Sequence, residues 1–118
     1  MNRQQRIDAI RKALAAVESA IIQTEGALKM ASTSSDVLRL TSQLADLKAQ
    51  RQSLQFQLAN LEAADGEIAP ISEESAAKLQ ALSAEMDNAI LDRTVVSATI
   101  DFTNALLAKV SDLRKTMG

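Results

Sequence analysis

The chain of 118 residues carries a formal net charge of −2, 47% apolar and only 2% aromatic residues, and it contains neither Cys nor His. Those two absences exclude disulfide frameworks, thiolate zinc sites, Ser-His-Asp and Cys-His nucleophile systems, and the Glu-x-x-His ligands of di-iron bundles. The length suits one domain with one core, and a composition rich in Ala, Leu, Gln, Ser, Glu and Lys, with three Gly and one Pro, describes long helices.

The first predicted helix covers about residues 3–30. Its apolar residues Ile7, Ile10, Leu14, Val17, Ile21 and Leu28, with Thr24 in the open slot, step alternately by 3 and 4, the spacing of a coiled-coil seam. Gly26 lies inside this run and costs the helix roughly 1 kcal/mol relative to Ala. The small polar cluster ASTSSD, residues 31–36, predicts a tight turn, with Thr33 and Asp36 approximating a capping box.

A second helix over about 36–63 resumes the pattern through Val37, Leu40, Leu44, Leu47, Leu54, Leu58 and Leu61, with Arg51 intruding. Two helices of similar length joined by a short turn imply an antiparallel coiled-coil hairpin. Residues 64–71 form a linker, because Gly66 suits a helix C-terminus and Pro70 disfavours helix at Ala69. From Ser72 the 3-and-4 steps continue to Met117, which predicts one long third helix over about 72–116, bent if anywhere near 92–99 where β-branched residues gather. The expected fold is therefore all-α, 1–118 being one domain built as a hairpin plus a long third helix, in a three-helix or an oligomeric bundle.

Within the third helix the apolar residues make two stripes. Val96, Ile100, Leu107 and Val110 form one, and Val95, Thr99, Phe102, Leu106 and Leu113 the other, so the apolar face spans about 160° where a helix packed on its neighbours needs about 100°. One stripe suits the chain's own hairpin. The second is the candidate interaction surface, for a second copy with a dimer expected, or for a foreign protein; the competing use is an intramolecular core. Arg51, Arg93 and Arg114 fall at seam positions, where cationic residues either set register or extend their heads to water.

No run approaches the roughly 18 apolar residues that span a membrane, and the basic start of the chain lacks the apolar stretch of a secretory signal, so the cytoplasm is the expected location. Charge is uneven: Arg3, Arg6, Arg11 and Lys12 against Asp8 leave residues 1–12 at +3, whereas residues 62–92 stand at −7. With no Trp or Tyr and only a short basic segment, nucleic acid is disfavoured as a partner, and the apolar residues of that segment belong to the seam rather than to a membrane surface. No Gly-rich phosphate loop is present, and Glu73/Glu74 and Glu85/Asp87 are too close in sequence to converge on one helical face.

No catalytic residue, cofactor site or metal site is therefore expected. The sequence points to a non-catalytic protein-protein interaction module, an inhibitor or adaptor of the kind phages encode that binds and occludes or bridges a partner. An assembly or secretion chaperone is the alternative, and a metal-dependent carboxylate enzyme the alternative of another class.

Overall fold

The computed structural model describes residues 2–63, 72–87 and 96–117. It is all-helical, and no strand occurs among the described residues. The helices are α1 (Arg3–Met30), α2 (Ser34–Ala63), α3 (Glu73–Asp87) and α4 (Val96–Met117).

The starts of α1, α2 and α3 are each fixed by a local side-chain acceptor. Asn2 caps α1: its Oδ1 accepts from the Gln5 backbone N–H at 2.8 Å while the Asn2 N–H donates to Gln5 Oε1 at 3.0 Å, a reciprocal pair that satisfies two orphan donors. Thr33 Oγ1 accepts from the Asp36 N–H and Ser72 Oγ from the Ser75 N–H, each at 3.2 Å, which starts α2 and α3. α1 continues unbroken through Gly26.

α1 and α2 run antiparallel along each other, with Arg11 of α1 reaching Glu62 near the far end of α2. α4 packs in the angle between them. Its start lies beside the end of α1, where Ala27 meets Ile100, and its end beside the start of α1, where Arg6, Ile10 and Met117 line one groove. α3 sits on the opposite side, against the first half of α1 and the last half of α4, and does not meet α2. The body measures 52 × 23 × 19 Å.

α1 can touch all three neighbours because it buries two stripes. One is the aliphatic seam of Ile7, Ile10, Leu14, Val17 and Ile21. The other is a row of small residues, Ala9, Ala13, Ala20 and Ala27, all at most 4% exposed, which lets neighbouring backbones approach closely. α2 contributes Leu40, Leu47 and Leu54, α3 contributes Leu79 and Met86, and α4 contributes Leu106, Val110 and Leu113.

The predicted long third helix is replaced by two. The Lys109 ammonium lies 3.4 Å from the Glu85 carboxylate, and Lys78 shares a groove with Lys115, so α3 and α4 lie side by side in opposite directions. The physical reason is burial: a straight helix over 72–116 would be about 68 Å long, which exceeds the 52 Å body and leaves its apolar residues beyond the hairpin in water. Gly66, Pro70 and the linker 64–71 lie outside the described residues, as do residues 92–95 of the segment where a bend was expected.

Candidate protein-interaction surface

The second stripe of α4 is packed inside the chain. Thr99, Leu106 and Leu113 are buried, and Phe102 is half-buried against the main core cluster. These four residues do not form an open surface; Val95, the fifth, lies outside the described residues. α3 is the element that accounts for the width of the apolar face, because α4 has α1, α2 and α3 to cover it instead of the hairpin alone.

The three seam arginines have separate fates. Arg114 is half-buried, and its Nη1 donates to Gln50 Oε1 at 2.8 Å, tying α4 to α2. Arg51 is half-buried on α2. Arg93 lies outside the described residues.

Polar groups of the interior were less visible in the sequence. Gln43 is buried on α2, and its Nε2 donates to the Ile100 carbonyl at 2.8 Å and to Asn104 Oδ1 at 2.9 Å. The signal was present: Gln43 is three residues after Leu40 and four before Leu47, hence on their face. Thr24, Thr99 and Thr103 are likewise buried, and their hydroxyls have no hydrogen-bond partner. Arg6 is buried at the start of α1, and that burial pushes its guanidinium below the ordinary arginine value.

The described grooves are open and of mixed polarity. The one between α2 and α4 is lined by Leu38, Arg39, Ser42, Gln43, Asp46, Ile100 and Asn104 and encloses about 420 Å³. The one between α1 and α3 is lined by Asp8, Lys12, Gln80 and Ser83 among others, with about 260 Å³. Neither concentrates groups for chemistry, and among the described residues no three acidic side chains gather to hold a metal ion. Among those residues, too, no helix is long and apolar enough to cross a membrane.

On the exterior, Ile22 and Met30 of α1 are exposed, Ile22 between Glu18 and Glu25 on its face, and α2 exposes two large apolar side chains to a similar degree. Leu38 is 70% exposed and Phe56 69%. At about 100° per residue both point the same way, roughly opposite to the buried Leu40, Leu47 and Leu54. The residues that share this outward face between them are Thr41, Ser42, Ala45, Ala49 and Gln52, and beyond Phe56 come Ala59, Asn60 and Ala63; none is charged. A sequence scan for large aliphatic periodicity passes over the row because most of its members are small.

In comparisons with protein-family models, curated proteins and solved structures nothing matches the chain, and the functional reading therefore rests on this surface.

Proposed function

We propose that the chain is a non-catalytic protein-protein interaction module, an adaptor or inhibitor that works by occupation. Its α2 face engages an apolar helical surface of a protein partner and thereby occludes or bridges that partner. The observation that carries this reading is the uncharged outward face of α2 with Leu38 and Phe56 in water. Outer faces of helices in soluble domains are ordinarily polar and charged, and an uncharged face that exposes large apolar side chains suits a surface that is covered in use. The alternating 3-and-4 seams of α1 and α2 support reading the two as an antiparallel coiled-coil hairpin, which supplies a rigid platform and so lowers the ordering cost of binding.

The test is affinity capture from the native cells with wild-type chain and with Phe56→Glu. The substitution lies on the exposed face, so the melting temperature is expected to stay within a few degrees of wild type while a defined partner is lost. A partner held equally by both forms would overturn the assignment of this face.

A further inference from the structure

The outward face of α2 repeats with its own heptad. Leu38, Ser42, Ala45, Ala49, Gln52, Phe56, Ala59 and Ala63 follow one another in alternating steps of 4 and 3, and every one is exposed. This row lies about half a turn around the helix from the buried leucines, with Leu38 and Ser42 at its start on the rim of the groove toward α4. The corresponding outward row of α1 carries charge throughout, with Asp8, Arg11, Glu18, Glu25 and Lys29 exposed, although Ile22 in the same row is 71% exposed.

We infer that this row is a self-complementary seam through which two copies of the chain pair, α2 against α2 and antiparallel. The inference rests on the reading of α2 as the interaction face and names its partner. A two-fold axis crossing α2 between Gln50 and Arg51 sets Leu38 opposite Ala63 of the second copy and Ala45 opposite Phe56. The same axis sets Ser42 opposite Ala59 and Ala49 opposite Gln52. At three of the four levels a larger side chain meets a small one, so Phe56, Leu38 and Gln52 enter spaces that alanines leave, and at the fourth Ser42 and Ala59 allow close approach. A parallel pairing does the reverse: Phe56 stacks on Phe56 and Leu38 on Leu38, while the alanine levels between them are left as gaps.

Charge agrees with the antiparallel register. In a two-fold antiparallel pair each flank of the seam faces its own copy. Lys48 then lies near Gln55, Asp46 near Ser53, Arg39 near Asn60 and Glu62 near Thr41, so no like charges are brought together. The seam runs about 38 Å, from Leu38 to Ala63 at about 1.5 Å per residue. With a helix about 10 Å across, each copy gives up on the order of 400 Å², which places the dimer among weak, concentration-dependent associations and below the standard interface of about 1,600 Å² in total.

The chain lacks cysteine, so single thiols report the register directly. Ser42→Cys and Ala59→Cys are both on the exposed face. The experiment oxidises each variant alone and an equimolar mixture of the two, and follows the wild type by light scattering over a dilution series. The expected result is a disulfide dimer in the mixture that exceeds the self-linked product of either variant at least tenfold, with a wild-type mass that falls from two chains to one on dilution. Phe56→Glu is expected to move that transition to at least tenfold higher concentration. Self-linking of Ser42→Cys alone would show a parallel pair and overturn the proposal, as would a monomer at every concentration. A monomer whose Phe56→Glu variant still loses a foreign partner would refute the self-pairing and leave the proposed function standing; a dimer that captures nothing else would do the opposite.

Discussion

Three buried threonines and one glutamine show how polar residues are used inside this chain. Gln43 joins α2 to α4 through two hydrogen bonds from one amide nitrogen, and truncation abandons both of them and opens a small void. Gln43→Ala is expected to lower stability by about 1–3 kcal/mol, read as a lower urea midpoint at unchanged slope. The threonines behave oppositely. Thr103 is completely buried and its hydroxyl has no partner, so the native state bears a desolvation cost with nothing to offset it. Thr103→Val keeps the branched shape, and we expect it to raise stability by about 1 kcal/mol, a few degrees in melting temperature. A lower melting temperature would mean that the hydroxyl is satisfied by water or by a helix carbonyl. Thr24 stands in the open slot of the first seam, which made its burial legible; Gln43 shares the face of Leu40 and Leu47, but a pattern counted on large apolar residues alone passes over it.

The all-helical character was readable from composition and spacing, because Ala, Leu and Gln fill the chain and strand-forming residues are few. The reversal of direction between α3 and α4 was not, since the 3-and-4 spacing runs on through both helices and periodicity constrains a helix's face without fixing where the chain turns back. The unequal roles of the helices follow from what each buries. α3 is held by Leu79, Met86 and the half-buried Leu82, together with the Glu85–Lys109 ion pair, whose partners are partly in water and which contributes little. Leu79→Ala is expected to release α3 locally, so that amide exchange in residues 73–87 rises by at least tenfold while the middle of α1 stays protected. Leu47→Ala, in the middle of α2 and fully buried, is expected to cost about 2–5 kcal/mol and to raise exchange in α1, α2 and α4 together. Overpacking the small-residue stripe is the complementary change. Ala20→Leu inserts three carbons into the main core at a position only 1% exposed and is expected to cost about 1–3 kcal/mol or more, seen as a lower melting temperature.

At the scale of the molecule, α1 is the hub and α4 the last element to reach it. The contacts of α1 with α2 begin beside the turn at residues 31–33 and widen to the Arg11–Glu62 pair, 51 residues apart, whereas the contacts of α4 with α1 bridge some seventy residues or more. Loop closure over that distance is entropically unfavourable until the packing compensates it. Refolding followed by pulsed hydrogen exchange is therefore expected to protect amides of α1 and α2 before those of α4, and simultaneous protection of all three would contradict it. During synthesis the order is stricter, because α4 leaves the ribosome last. Throughout that interval α1 has its aliphatic seam covered by α2, while the face that awaits α4 and α3 shows alanine at positions 9, 13, 20 and 27 rather than leucine. A nascent chain paused at this stage offers other chains little apolar area, so the same small side chains that permit close packing at the end also limit premature association on the way there.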